Sequence, residues 1–124
     1  MEFINYSKCS TCKKAKDFLD IDSNNIKYVD RQIKDNNPSY DEIKNWINKY
    51  NVSIRKLFNT SGILYREMDL KNKLGNMCDD DKIRLLSTDG MLIKRPILVN
   101  DKTILIGFKE KEWNDNLVYN KKLN

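Results

Sequence analysis

The sequence contains no histidine and only three cysteines among its 124 residues. Histidine is the commonest side-chain general base and metal ligand, so its absence excludes a Cys–His hydrolase. A structural zinc site needs four good ligands, and the chain has one CxxC pair rather than two. We therefore expect no metal site and no bound cofactor.

Long apolar runs are also missing. No stretch approaches the roughly 18–20 apolar residues that span a bilayer, and the N-terminus lacks the basic region and apolar stretch of a signal peptide. We therefore expect a cytoplasmic protein with no membrane partner. Thiols are kept reduced in the cytoplasm, so a close cysteine pair there is more typical of catalysis or metal binding than of a structural disulfide.

Composition and charge indicate one ordered domain over residues 1–124. Hydrophobic residues make up 40% of the chain and charged residues 33%, and this length suits a single core. The net charge of +5 permits an anionic partner, but the lysines alternate with aspartates as on an ordinary solvated surface. The sequence has neither a helix-turn-helix nor a basic stripe interleaved with aromatic residues, so we expect no direct nucleic-acid binding.

The segment with the clearest chemistry is Cys9-Ser10-Thr11-Cys12, which reads as a loop between a strand and the first turn of a helix. Two thiols at this position can both face solvent. A helix N-terminus has unpaired N–H groups and about half a positive charge, and both favour a thiolate. Lys8, Lys13 and Lys14 add positive charge nearby. Such surroundings lower the pKa of a cysteine and make it nucleophilic.

The order of the two cysteines predicts their roles. We expect Cys9 to be the attacking sulfur and Cys12, one turn later, to resolve a mixed disulfide. Ser10 or Thr11 is expected to cap the helix. Cys12 shares a face of this helix with three apolar residues, Ala15, Phe18 and Leu19.

The hydrophobic pattern predicts four strands and two flanking helices. The first strand covers Glu2–Tyr6, and the helix after it ends in a polar turn at residues 22–25. The second strand covers Ile26–Asp30, which makes a parallel β-α-β unit. A hairpin then joins Ile97–Val99 to Thr103–Ile106, and a last helix runs from about Lys109 to Leu117.

A helical insert, roughly residues 39–90, separates these halves. Ser39 and Glu42 form a capping box, and the apolar stripe of the helix that follows includes Trp46. We expect short helical stretches at 53–58 and 63–70, irregular structure at 71–76, and a helix from Asp79 that ends at Asp89-Gly90. Trp46 and Trp113 are expected in the core. Cys78 precedes three aspartates, which raise a thiol pKa, so we expect it to have no redox role.

This order of elements, with CxxC after the first strand and a proline opening the third, resembles the thioredoxin-like α/β fold: β-α-β, then β-β-α, around a four-stranded mixed sheet. The sequence further resembles the ArsC/Spx family over nearly the whole chain. Four segments carry the resemblance: 6–15, 54–60, 92–97 and 106–108. This family contains glutaredoxin-dependent arsenate reductases and Spx-type regulators of RNA polymerase.

The resemblance implies roles for particular residues. Cys9 falls on the family's catalytic cysteine, and Arg95 on an arginine that helps to bind the oxyanion. Pro96 falls on a proline that is cis and faces the thiol. Asn59 and Gly107 stand where arsenate reductases have two further arginines. Ser10 and Thr11 complete the expected anion-binding set, with Arg55, Asn59 and Lys13 as possible additions.

Three functions remain open at this stage. The first is a thiol–disulfide oxidoreductase that is reduced by glutathione or by a thioredoxin or glutaredoxin system. The second is an Spx-like redox-sensing regulator that binds the RNA polymerase alpha subunit. The third is a glutaredoxin-dependent arsenate reductase. A monomer is expected in each case.

Overall fold

The computed structural model describes residues 1–22 and 26–123. Four strands form its sheet: β1 (Glu2–Asn5), β2 (Val29–Gln32), β3 (Ile97–Val99) and β4 (Ile104–Ile106). Two helices follow the two halves of the sheet, α1 (Ser10–Asp17, continued by a π-helical turn at Phe18–Asp22) and α6 (Glu110–Leu123). The last helix therefore extends beyond the predicted end at Leu117.

The sheet has the strand order β2-β1-β3-β4. β1 pairs with β2 in parallel and with β3 antiparallel, and β3 pairs antiparallel with β4. The predicted four-stranded mixed sheet is confirmed. β4 and β2 are its edges, and β1 and β3 lie in its centre.

The second strand begins later than the sequence predicts. Residues 26–28 precede it, and its partners run from Glu2 opposite Val29 to Asn5 opposite Gln32. The prediction of Ile26–Asp30 was wrong because it followed apolar character, whereas this edge strand is held by polar contacts. Arg31, for example, bonds to Glu2 at 2.7 Å and to Glu42 at 2.8 Å. Residues 23–25 of the predicted polar turn lie outside the described residues.

Alternating side chains on β1 and β3 separate two cores. Phe3 and Leu98 face a cluster on the α1 and α6 side, which includes the fully buried Trp113. Ile4 and Ile97 face the opposite cluster, which includes Trp46. The predicted core positions of both tryptophans are confirmed, at 3% exposure for Trp46 and 0% for Trp113.

The second cluster is covered by the helices between β2 and β3: α2 (Tyr40–Tyr50), α3 (Ile63–Glu67), α4 (Leu70–Lys73) and α5 (Asp79–Thr88). The Ser39 hydroxyl accepts a bond from the Glu42 N–H at 3.1 Å, so the predicted cap of α2 is confirmed. Two 3₁₀ turns complete this part of the chain: Ile54–Leu57 lies between α2 and α3, and Gly90–Leu92 lies between α5 and β3.

The stretch predicted as irregular, residues 71–76, is helical. α4 and a following 3₁₀ turn at Leu74–Asn76 occupy it. Leu70 is 2% exposed and anchors this stretch in the core, and the Asp69 carbonyl accepts from Asn72 and Lys73 at 3.2 Å each. Tertiary burial of one leucine therefore overrides a weak local pattern.

A single antiparallel bridge between Phe58 and Ile93 ties the insert to the chain before β3. The Asn59 N–H donates to the Leu92 carbonyl at 2.8 Å, and the Lys94 N–H donates to the Leu57 carbonyl at 2.8 Å. This bridge sets residues 59–62 beside residues 94–95. No described helix is long and apolar enough to cross a membrane.

Candidate functional site

Cys9 is the N-cap residue of α1. Its extended backbone (φ −96°, ψ 123°) ends the loop after β1, and its carbonyl accepts the Lys13 N–H at 3.1 Å. Ser10 and Thr11 occupy the first two helical positions instead, and both are exposed, so the predicted cap by either residue was wrong.

The pKa of Cys9 is lowered. Partial burial opposes this shift, but the N–H group and thiol of Cys12, the charge of Arg95 and the N–H group of Thr11 together exceed it. No side-chain hydrogen bond caps the helix, yet its free N–H groups lie close enough to the sulfur to favour the thiolate. Arg95 is the leading charge in this effect.

The lysines that the sequence pointed to are a different case. Lys8, Lys13 and Lys14 are exposed, and water and salt screen such charges. The pKa of Cys9 is low, as expected, but the cation that lowers it is Arg95, which is distant in the sequence, rather than these lysines.

Cys12 lies under Cys9 in the core and is 2% exposed, so the expectation that both thiols face solvent was wrong. The Tyr6 N–H points at its sulfur at 3.5 Å. Burial is the largest cause that raises its pKa, to about 12, and the negative charge of Cys9 adds to it. The pair thus combines an accessible thiolate with a buried, protonated thiol, and both sulfurs are free.

A cavity of about 670 Å³ opens beside Cys9. Of the residues predicted for the site, it gathers Cys9, Thr11, Asn59 and Arg95, and Gly107 also lines it. Its other lining residues come from the ends of β1, β4 and the insert and include Tyr6, residues 60–64, Met91, Lys94, Ile106, Phe108 and Lys109.

Besides the buried Cys12, four predicted residues lie outside this cavity. Ser10 and Lys13 are exposed on α1. Arg55 precedes the Phe58–Ile93 bridge and lines a second cavity of about 610 Å³. Pro96 is buried, its bond to Arg95 is cis, and its carbonyl accepts the Gly107 N–H at 2.8 Å. It supports the wall of the cavity without lining it.

Arg95 is held by two neighbours. Its Nη1 donates to the Ile93 carbonyl at 3.3 Å, and its guanidinium lies 5.4 Å from the centre of the Tyr6 ring. Its Nε is buried and has no partner among the residues that the structure describes. A buried charged donor without a partner is costly, so this position is suited to an anionic group in the cavity.

At Gly107, where the resemblance to arsenate reductases led us to expect an arginine, the structure leaves little room for a side chain. The φ of Gly107 is +75°, and a Cβ added to it would lie 2.7 Å from Cε of Lys94. Lys94 therefore covers the position that a side chain at 107 would need. Lys94 and Lys109 also line the cavity and were not among the predicted site residues. Lys94 lies inside the segment 92–97 and Lys109 follows the segment 106–108, so both were adjacent to recognisable motifs.

Cys78 lies apart from both cavities. It is the exposed N-cap residue of α5 and is followed by the acidic first turn of that helix. The expectation that it has no redox role stays a prediction.

Comparisons with known proteins identify the family of the chain. The model of the ArsC family matches residues 4–116. Uncharacterized protein YusI of Bacillus subtilis is 40% identical over 116 residues, which cover 94% of this chain and 97% of YusI. SACOL0876 of Staphylococcus aureus has a solved structure with a TM-score of 0.82 and 46% identity, covering 92% of this chain and 95% of that one.

A more distant relative is named as a regulator. The global transcriptional regulator Spx of Bacillus subtilis is 26% identical over 104 residues, which cover 84% of this chain and 76% of Spx. The resemblance inferred from the motifs is confirmed, and the chain belongs to the ArsC family.

Proposed function

We propose that the protein is a thiol–disulfide oxidoreductase in which Cys9 attacks and Cys12 resolves. The observation that carries this proposal is the contrast between the two cysteines. Cys9 has a lowered pKa at the mouth of a cavity, and Cys12 has a pKa raised to about 12 in the core beneath it. Such a difference matches a partly accessible nucleophile paired with a buried, protonated thiol that can resolve the mixed disulfide.

The first step is attack of the Cys9 thiolate on a substrate disulfide. A bond forms between Cys9 and one substrate sulfur, the substrate S–S bond breaks, and the other sulfur leaves as a thiolate. The N–H groups at the start of α1 and the charge of Arg95 stabilise the attacking anion.

Formation of the mixed disulfide removes the negative charge of Cys9. One of the causes that raise the pKa of Cys12 disappears with it. Cys12 then attacks the sulfur of Cys9, and its proton passes to the departing substrate sulfur. The substrate is reduced to two thiols, and the enzyme carries a Cys9–Cys12 disulfide. Glutathione, or a thioredoxin or glutaredoxin system, supplies the two electrons that reduce this disulfide.

Mass spectrometry after reaction with a small disulfide tests this order of steps. Wild-type protein is expected to end as the internal Cys9–Cys12 disulfide, whereas Cys12→Ser accumulates the mixed disulfide on Cys9. Cys78→Ser serves as the control and is expected to behave like wild type. A stable adduct on Cys9 in wild-type protein, or faster modification of Cys78 than of Cys9, would contradict the proposal.

A redox-sensing regulator is the second candidate, because the chain has relatives named as Spx. This function would also use a disulfide between Cys9 and Cys12. Here the disulfide would change a contact surface rather than turn over substrate. Retention of the protein on the C-terminal domain of the RNA polymerase alpha subunit, in oxidised and reduced forms, separates the two. Retention that does not depend on oxidation would count against the regulator.

Reduction of arsenate is the third candidate and has less support. Arg95 offers a donor to an anion, but Asn59 and Gly107 supply no charge where arginines were expected. Each charge-assisted bond contributes roughly 1.5–3 kcal/mol, so the loss of two arginines weakens binding of a doubly charged oxyanion. Arsenate-dependent oxidation of NADPH with glutathione and glutaredoxin present is the test, and zero turnover would end this hypothesis.

A further inference from the structure

The cavity at Cys9 does not end near the thiol. It shares four lining residues with the second cavity, Thr60, Lys94, Ile106 and Lys109. The two cavities, of about 670 and 610 Å³, therefore adjoin each other, and we call them together the basic groove. It runs from Cys9 past the end of β4 to Tyr50 at the end of α2.

The charge along the basic groove is predominantly positive. Near the thiol it is lined by Lys94, Arg95 and Lys109. The far part adds four cations, Lys49, Arg55, Lys56 and Lys102. Glu112 is the one carboxylate among the described lining residues of both parts.

This concentration accounts for the charge of the whole chain. The basic groove holds seven cations and one carboxylate, and the complete sequence has a net charge of only +5. The remaining surface is therefore close to neutral. The interpretation of the lysines as an evenly mixed solvated surface holds outside the basic groove and was wrong inside it, because charges that are dispersed in the sequence converge in the fold.

The cations of the basic groove are also uncompensated. The ion pairs in the described part of the chain use Lys16, Arg31 and Arg84 as cations, all outside the basic groove. Closely spaced cations without counter-charges raise the local positive potential and attract anions over about one Debye length, ~8 Å at physiological ionic strength.

We propose that the basic groove binds an extended, acidic polypeptide segment whose cysteine sulfur reaches Cys9. This inference rests on the proposed function, and it names the substrate class. A compact disulfide would occupy the cavity at Cys9 and leave the far cations without a role. A polypeptide segment can carry both a disulfide for Cys9 and carboxylates for the far part, whereas a nucleic acid has no sulfur for Cys9 to attack.

The reaction at the bound segment follows the same chemistry. The Cys9 thiolate forms a bond to the cysteine sulfur of the segment, the segment's own disulfide bond breaks, and the other sulfur departs as a thiolate. Charge in the far part raises the rate of encounter and takes no part in the bond changes.

A kinetic comparison of peptides tests the proposal. Each peptide has about ten residues, ~33 Å when extended, and carries one cysteine as a pyridyl disulfide whose released thione is followed by absorbance. One version is rich in aspartate and glutamate, and the other has the corresponding amides. Wild-type protein is expected to react about tenfold faster with the acidic peptide, and this ratio should fall towards one as salt is added.

Charge reversal in the far part identifies the binding surface. The double variant Arg55→Glu/Lys56→Glu is expected to abolish the preference for the acidic peptide. The matched control Lys71→Glu/Lys73→Glu makes the same change of net charge at exposed positions on α4, outside the basic groove. It is expected to keep the preference. Equal loss of preference in both double variants, or no preference in wild type, would overturn the inference.

Two further arms separate the possible failures. A single-stranded oligonucleotide and an acidic peptide without cysteine compete with the reactive peptide. Stronger competition by the oligonucleotide would assign the basic groove to nucleic acid and overturn the proposal. A small neutral pyridyl disulfide reports on Cys9 alone. If wild-type protein reacts with this small disulfide but shows no preference for the acidic peptide, only the present inference is overturned. If it fails to react with the small disulfide, the proposed function itself is overturned.

Discussion

Gly107 allows the relation between the missing arginine and the fold to be tested directly. On sequence grounds Gly107→Arg looks like the repair of an anion site, because the resemblance to arsenate reductases implies an arginine at this position. The structure predicts destabilisation instead, because the position has a φ of +75° and Lys94 lies over it. An L side chain there adopts a left-handed backbone that glycine alone adopts freely.

The magnitude has three parts. The left-handed conformation costs a residue with a Cβ roughly 1–2 kcal/mol. Displacing Lys94, whose Cε would lie 2.7 Å from the new Cβ, is cheaper because it is the far end of a flexible chain; an off-rotamer shift costs about 0.5–1.5 kcal/mol. Loss of glycine stiffens the unfolded chain and returns about 0.4–1 kcal/mol. The net loss is about 1.5 kcal/mol.

Thermal and urea denaturation followed by circular dichroism measure this loss. The unfolding entropy is ~2.1 cal/mol/K per residue, and the chain has 124 residues. Each kcal/mol lost from the free energy of unfolding therefore lowers Tm by about 4 °C. We therefore expect a decrease of roughly 6 °C for Gly107→Ala and at least as much for Gly107→Arg.

Two comparisons make the reasoning refutable. Gly75→Ala is the matched control, since nothing lies within 4 Å of a Cβ there and the residue has no positive φ. Gly107→Asn is expected to recover part of the loss, because asparagine tolerates the left-handed region better than alanine does. Equal stability of the two alanine variants, or asparagine no better than alanine at position 107, would refute the argument.

Three further predictions concern charge. Arg95→Gln removes the leading cation at Cys9, so the pKa of Cys9 should rise and the pH profile of its alkylation should move to higher pH. Lys56→Gln is the control. An unchanged profile for Arg95→Gln would contradict the assigned cause. The lowered pKa of Cys9 stabilises the folded state above the thiol's ordinary pKa and does so less as the pH falls, so the stability difference between wild type and Cys9→Ser in urea should grow as the pH rises towards about 8.5. Arg31→Met breaks ion pairs to carboxylates on β1 and α2. Because those carboxylates are 32–40% exposed, the free energy of unfolding should fall by about 1–3 kcal/mol rather than by the ~3–5 kcal/mol of a fully buried pair. Urea denaturation that matches wild type would show that the pairs contribute nothing.

Much of the fold follows from local sequence. The short apolar runs of β1 and β3, the capping box at Ser39 and the acidic start of α5 each act within a few residues, and the structure has each element there. The polar edge strand β2 follows a different rule. Its stability depends on the contacts of Arg31 with other elements, which no local pattern displays.

The sequence by itself determined that Cys9 stands at a helix start, because a helix N-terminus and its N–H groups are local features. Tertiary structure decided what surrounds it. The burial of Cys12, the choice of Arg95 over nearer lysines, and the separation of Asn59 from Arg55 all depend on the Phe58–Ile93 bridge and on packing between distant segments. Charge and burial act through space, so the basic groove becomes visible only when the chain is folded.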